Sequence, residues 1–249
     1  MENINWDNIK FRASSWGNLL TEAKTKGEGL LSITCQKELL KIYSQEVYGR
    51  KKDITTKQMD KGIQVEDDSI QLFSKVSGDF YYKNEERLEN EWFVGHPDIF
   101  KGESILKCDE LYDIKSSWEL DSFLPKMLEA PDKGYVAQLN AYYSLTGAKS
   151  GGIVYCLVSA PINIVESEKK GLLWKMNVIS EYAPEYITAC SELERLMVFD
   201  DIDYRERCIV IPVERNEELI QKMKDKVPIL RQWLQDFHEK HMNLFPKSI

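Results

Sequence analysis

Residues 91–118 read EWFVGHPDIFKGESILKCDELYDIKSSW. Three short runs of strand-forming residues are separated here by Gly, Pro, Asp and Ser, which predicts strands joined by turns. Side chains of a strand point alternately to opposite faces, so in ELYDIKSS the residues Leu111, Asp113 and Lys115 share one face while Tyr112 and Ile114 share the other. An acid and an amine thus emerge together where a sheet normally buries apolar groups. Asp98 precedes them at a spacing that suits an adjacent antiparallel strand after a turn at Lys101 and Gly102. Two carboxylates and one ammonium are expected to converge. Mg²⁺ takes oxygen ligands, commonly one or two protein carboxylates together with phosphate and water, and this set has that chemistry. An ion pair on an exposed edge strand would produce the same Asp-x-Lys pattern.

A second carboxylate pattern lies upstream. In KQMDKGIQVEDDSIQLF, Met59, Ile63, Glu66, Ile70 and Phe73 recur at spacings of three and four, which predicts one helix with Glu66 on its apolar stripe and Asp67 and Asp68 elsewhere. A carboxylate among core residues is costly unless a cation neutralises it. Gln138, one turn before Tyr142 in KGYVAQLNAYYSLTG, is another polar group on a helix expected to pack on the sheet, and a satisfied core hydrogen bond accounts for it equally well.

Outward from these motifs, residues 15–76 read as helical, in WGNLLTEA, TCQKELLKIYSQEVYG and the Glu66 helix. Strand and turn texture fills 79–117. The helix of Gln138 stops at Gly147, and GGIVYCLV follows as a strand buried on both faces, so the order strand, helix, strand predicts a central mixed sheet. Helices are expected over EKKGLLWKMNVISEY and PEYITACSELERLMVF, then a strand RCIVIPV. A terminal helix opens at Asn216 with Glu217 and Glu218 in its first turn; Leu219, Met223, Val227, Leu230, Leu234 and Phe237 form its stripe, and Pro228 is expected to bend it. One α/β (α+β) domain over 1–249 is the expectation, with an N-terminal helical region over 1–76, a sheet core over 79–158 and a C-terminal helical region over 159–249.

Composition bounds the function. With 33 Lys plus Arg against 41 Asp plus Glu, the formal charge is −8, which argues against non-specific coating of nucleic acid but not against an enzyme that holds metal ions with carboxylates. Met1–Lys10 lacks a cationic and an apolar segment, and no apolar run reaches the roughly 20 residues a membrane helix needs, so a soluble cytoplasmic protein without membrane contact is expected. Cys35, Cys108, Cys156, Cys190 and Cys208 are odd in number and scattered, which predicts reduced core residues and neither a disulfide framework nor a cysteine metal site. His238 and His241 in HEKHM read as solvated helix-terminal residues, and His96 as local packing with a phosphate contact as the alternative.

GHPDIF, LYDIKSS and YVAQLNAYYSLTG together resemble the PD-(D/E)-x-K nuclease superfamily, with Gln138 and Tyr142 in its trailing Q-x-x-x-Y element. Within it, FRASSWGNLLT and the Glu66 helix resemble the phage lambda exonuclease (YqaJ-like viral recombinase) family, from about Lys10 to Leu157. One departure is Asp113, where many relatives carry Glu. The resemblance implies a restriction-endonuclease-like sheet and a metal-dependent DNA exonuclease, 5′-to-3′ on linear double-stranded DNA in phage-type recombination. It implies Asp98, Asp113, the Ile114 carbonyl and Glu66 as ligands for one or two Mg²⁺ ions, with Mn²⁺ as a substitute. Lys115 is then the group that positions water, and Gln138 and Tyr142 steady substrate or lysine. Implied partners are double-stranded DNA ends, a single-strand annealing protein and further copies of the chain in a homo-oligomer, as a ring-shaped trimer, in the host bacterial cytoplasm. A RecB-like or Cas4-like nuclease, a site-specific endonuclease and an inactive DNA-binding module are the alternatives; the iron–sulfur version needs four clustered cysteines.

The same resemblance bears on KFRASSWGNLL. Ser14 or Ser15 is a candidate N-cap for a helix beginning near Trp16, an end that attracts phosphate, and Arg12 lies just before it. A capped surface helix with a stray arginine is the plain alternative. The resemblance implies that Arg12 with Ser14 or Ser15 receives the terminal 5′-phosphate.

Overall fold

The computed structural model describes residues 4–23, 31–51, 56–242 and 244; residues 1–3 of the polar opening lie outside it. Strand β1 (Phe11–Arg12) leads into the short helix α1 (Trp16–Leu19), followed by α2 (Ile33–Tyr48), α3 (Lys57–Gln64) and α4 (Glu66–Ser77). Four short strands come next, β2 (Tyr82–Lys83), β3 (Leu88–Glu89), β4 (Phe93–Gly95) and β5 (Ile99–Gly102), and then the long β6 (Cys108–Ser116). One turn of helix, α5 (Leu120–Phe123), precedes α6 (Lys133–Thr146) and β7 (Ser150–Cys156). A hairpin of α7 (Ile162–Met176) and α8 (Pro184–Met197), the strand β8 (Cys208–Pro212) and α9 (Glu217–Met242) complete the order.

The mixed sheet runs β2-β5-β6-β7-β8, parallel only between β6 and β7, the pair that α6 connects. Period-two alternation divides its side chains as the sequence predicts. Leu111, Ile153 and Tyr155 join the core against α6, which continues to α9 and the N-terminal helices, whereas Ile114, Val154 and Cys156 pack with Val65 and Phe73 of the α3–α4 region. Fully burying side chains such as Phe93, Trp16 and Leu111, each 0% exposed, contributes about 1.5–3 kcal/mol apiece. A small sheet, β1-β4-β3, holds the N-terminal strand beside the stretch that leads to Asp98.

Helix ends are set by local chemistry. Asp132 Oδ1 accepts from Gly134 and Tyr135 N–H at 2.8 and 3.1 Å to start α6, and Gly147 at φ 84° ends it. Asn216 Oδ1 accepts from Leu219 N–H at 2.9 Å at the start of α9, which runs unbroken through Pro228.

Four expectations are corrected. The helix expected over 16–23 ends at Leu19. The helix expected through Glu66 is broken at Val65 (φ −107°, ψ 13°), and its buried face is not the expected one: Lys61, Val65, Ser69 and Phe73 face inward, while Met59 and Ile63 are 56% and 70% exposed. Helix α7 starts directly after Pro161, earlier than expected, and stops where Asn177 adopts a left-handed φ of 53°. His238 and His241 are not simply solvated: Nδ1 of His238 lies 2.9 Å from Tyr43 Oη and Nε2 of His241 2.8 Å from Tyr48 Oη, docking α9 on α2. No helix among the described residues is long and apolar enough to cross a membrane.

Gly151 permits the central parallel pairing. It stands opposite Leu111 at φ 155°, and a Cβ there would lie 1.6 Å from the Leu111 carbonyl oxygen. Gly151→Ala must therefore displace β7 from β6. It is expected to lower the unfolding free energy by about 3 kcal/mol or more, read by urea denaturation, and a midpoint equal to wild type would contradict this packing.

Candidate active site

The site forms where β5 and β6 begin to separate. Asn84 fixes the Pro97–Asp98 turn, since its side-chain amide donates to Pro97 O at 3.0 Å and its N–H to Asp98 O at 2.9 Å. Antiparallel register then sets Ile99 beside Tyr112 and carries the Asp98 side chain to the strand segment beyond. Asp98 Oδ2 accepts the Ile114 N–H at 2.7 Å, so this carboxylate is tied to the residue between Asp113 and Lys115. That is where Ile114 enters the site.

Asp113 is 1% exposed. Its Oδ1 accepts from Gln138 Nε2 at 2.9 Å, and that same amide nitrogen lies 3.1 Å from Tyr142 Oη. Its Oδ2 lies 2.6 Å from Lys115 Nζ in a close ion pair, and among the described residues no other donor reaches this buried oxygen. Lys115 Nζ also sits 4.8 Å from the centre of the Tyr135 ring.

Burial and the neighbouring Asp113 charge push the Asp98 carboxyl up to about 8, against the smaller pull of Lys115 and the Ile114 N–H. Burial alone would push Lys115 down, but the charges of Asp113 and Asp98 outweigh it and hold the ammonium above its ordinary value. Burial and then the same two carboxylates raise the Tyr142 phenol, which stays protonated. The cluster is short of positive charge. With an oxygen-only donor set and one buried carboxylate oxygen met only by Lys115, Asp98 and Asp113 fit a hard divalent cation.

Glu66 reaches the same space differently from expectation. Met59, Ile63, Glu66, Asp98, Lys115 and Trp118 are among the residues lining a cleft of about 560 Å³, so Glu66 is on the cleft wall and not in the core. Its side chain is 35% exposed and pairs with Lys83 at 2.9 Å, and Lys83 also holds Asp67 at 2.7 Å. Bonding to Asp67 first and Glu66 second drives the Lys83 ammonium far up. Among the described residues no three of His, Cys, Asp and Glu gather into a ready metal cage. Asp98 and Asp113 are thus brought together with Lys115 and Gln138, and Glu66 is held off by Lys83, a partner with no signature in YYKNEE.

Tyr142 also borders a cavity of about 220 Å³, lined by Arg12, Ser14, Arg87, Gly95 and His96 among others. Gly95 makes room for the tyrosine, because a Cβ there would lie 2.5 Å from Tyr142 Cε1. Arg12, Ser14 and His96 are exposed. Ser15 is corrected. It is buried, its Oγ donates to Glu38 Oε1 at 2.9 Å, and it makes no side-chain cap to the single-turn α1. Arg87 was missed, and EERLE marks it as nothing but surface charge.

No protein-family model matches the chain. No curated protein matches its sequence significantly. Solved structures do match its architecture. A phage-related exonuclease from Haemophilus somnus 129PT aligns at TM-score 0.71 and 23% identity, covering 94% of this chain and 97% of that one. An alkaline exonuclease, LHK-Exo, from Laribacter hongkongensis aligns at 0.61 and 14% identity over 95% of both chains, and its complex with dAMP at 0.60. The chain has the fold of these exonucleases, a mixed sheet flanked by helices as the resemblance implied.

The Asp98 shift has a definite sign. Between the ordinary carboxyl value of 3.8 and about 8, folded Asp98 retains a proton that the unfolded chain has released. Stability in metal-free buffer is therefore expected to fall as pH rises through that window. Asp98→Asn should flatten the slope, and Mg²⁺ at pH 8 should raise the melting temperature of wild type more than that of the variant. Equal slopes in thermal melts of the two proteins would remove Asp98 from this role.

Proposed function

We propose that the chain is a metal-dependent deoxyribonuclease that digests linear double-stranded DNA from its 5′ ends. The observation that supports this most is the convergence of Asp98, Asp113, Lys115 and Gln138 at one point of an exonuclease-type sheet. Asp98 and Asp113 would hold Mg²⁺ or Mn²⁺, and Glu66 would join them after release from Lys83. The cation, when bound, supplies Lewis-acid stabilisation of charge on the scissile phosphate.

The remaining roles belong to the chain. Lys115, kept protonated by its carboxylate neighbours, orients the attacking water and offsets negative charge growing on the phosphate oxygens. Gln138 gives one N–H to Asp113 and directs the other side of its amide nitrogen toward Tyr142, fixing the buried carboxylate in one rotamer. Tyr142 lines the cavity and meets Gln138, so the group that steadies Asp113 through Gln138 also borders the chamber of Arg12 and Arg87. Two guanidiniums, an imidazole and the Ser14 hydroxyl suit a terminal phosphate, with Arg able to bind it by two parallel N–H bonds. A terminal phosphate held there while the next phosphodiester reaches Lys115 gives 5′-to-3′ polarity. Work beside a single-strand annealing protein, as a ring of copies, belongs to the same reading.

Asp113→Asn and Lys115→Ala are each expected to reduce Mg²⁺-dependent cleavage of end-labelled linear duplex by at least about 10²-fold while the fold is retained. Covalently closed circular DNA should survive; its degradation would favour an endonuclease.

The cavity has its own test. Wild type should degrade 5′-phosphorylated duplex faster than 5′-hydroxyl duplex, and Arg12→Ala or Arg87→Ala should lose most of that preference while retaining residual cleavage. Undiminished discrimination in both variants would reject the cavity as the phosphate site and leave the metal site standing.

A further inference from the structure

Cys156 and Cys208 are far apart in sequence and face each other in space. Cys156 ends β7, Cys208 begins the antiparallel β8, and the two are register partners. The neighbouring pair is hydrogen-bonded, since Leu157 N–H donates to Arg207 O at 2.8 Å. Antiparallel pairs alternate, so Cys156 and Cys208 occupy a non-hydrogen-bonded position, where Cα atoms approach to about 4.5 Å and side chains lean together. A disulfide spans Cα separations of about 4.4–6.8 Å, so this site can close without moving either strand. Both thiols are free; Cys156 is fully buried and Cys208 partly exposed.

We propose that Cys156 and Cys208 form a reversible dithiol–disulfide site whose co-reactant is a low-molecular-weight disulfide of the glutathione class. The exposed Cys208 thiolate attacks one sulfur of the oxidant; the oxidant's S–S bond breaks, and one thiolate leaves and takes up a proton. Cys156 then loses its proton and attacks Cys208 Sγ, displacing the second thiolate, which is protonated in turn. Two electrons pass from the cysteine pair to the oxidant, and two free thiols leave.

The two thiols differ in the direction this order needs. The bond between them, followed by burial, pushes Cys156 up, and the same bond draws Cys208 down. Oxidation also has a structural consequence. Cys156 Sγ donates to Ser69 O at 3.5 Å, one turn along α4 from Glu66, and Ser69 Oγ lies 2.9 Å from Ser116 Oγ on β6. A disulfide consumes that S–H. The Ser69 carbonyl, already bonded within α4, loses this second, weaker donor and α4 loses a tie to the sheet, independently of whether the cleft hydrolyses DNA. Each exchange step runs backwards when the free thiol is in excess, as a reversible site requires.

The test uses the full chain in glutathione buffers stepped from reducing to oxidising, followed by non-reducing digestion and mass spectrometry. The expected product is a peptide pair linked through Cys156 and Cys208 that disappears with dithiothreitol. Cys208→Ser should abolish it, and Cys156→Ala should leave glutathione attached to Cys208. Amide exchange in residues 66–77 should quicken about threefold on oxidation, the scale of one weak hydrogen bond. Free thiols at the oxidising end, or glutathione resting on Cys208 of wild type without progress to the link, would overturn the site. Unchanged exchange in α4 would overturn its coupling to that helix.

Discussion

A carboxylate that is 1% exposed on the central strand is the constraint around which this molecule is arranged. An isolated buried charge is too costly to keep in a protein interior, so Asp113 must be met on both oxygens. One receives Gln138 from α6 and the other Lys115 from the same strand. The first contact requires α6 to cross the sheet with Gln138 and Tyr142 inward, which needs Gly95 beneath the tyrosine ring. The second requires two residues of unbroken strand after Asp113. The βαβ unit β6–α6–β7 is thus both the structural centre and the scaffold of the cluster.

What was legible in the sequence follows from periodicity. Period two put Asp113 and Lys115 together and Ile114 opposite, and the 3.6-residue repeat put Gln138 and Tyr142 on one face of α6. Those rules act within one element, where backbone geometry dictates neighbours. The contacts that escaped join elements distant in the chain. Lys83 pairs with Glu66, Glu38 consumes the Ser15 hydroxyl, and Arg87 completes the cavity around Arg12. No local pattern marks them, because each depends on how segments distant in the chain come to rest against one another.

Glu66 reaches the cleft by a route other than core burial. A continuous helix would place Glu66 with Met59, Ile63 and Phe73. With the break at Val65, Glu66 still lines the cleft beside Met59 and Ile63, while Phe73 joins Val65, 0% exposed, on the buried side. Glu66 faces the site as the first residue of α4, where the helix N-terminus tolerates a carboxylate. Its cost is lower than core burial would impose, and Lys83 is sufficient to balance it.

A buried lysine supplies what the broken helix lacks. Lys61, 1% exposed, sends Nζ to the carbonyls of Ser117 and Trp118 at 2.9 and 3.3 Å, just past the end of β6, with the Trp118 and Phe199 rings at 5.7 and 5.4 Å. Burial draws this ammonium down to about 8. Carbonyl dipoles and ring faces are weaker partners than a carboxylate, yet they keep a further acid out of a region that already contains Asp98, Asp113, Glu66 and Asp67. A Glu paired with Lys61 would compete for the same cation that Asp98 and Asp113 lack. Dipolar capture of Lys61 anchors α3 to the strand end that carries Lys115 and adds no negative charge to the cleft, so the electrostatic deficit stays concentrated on the two aspartates.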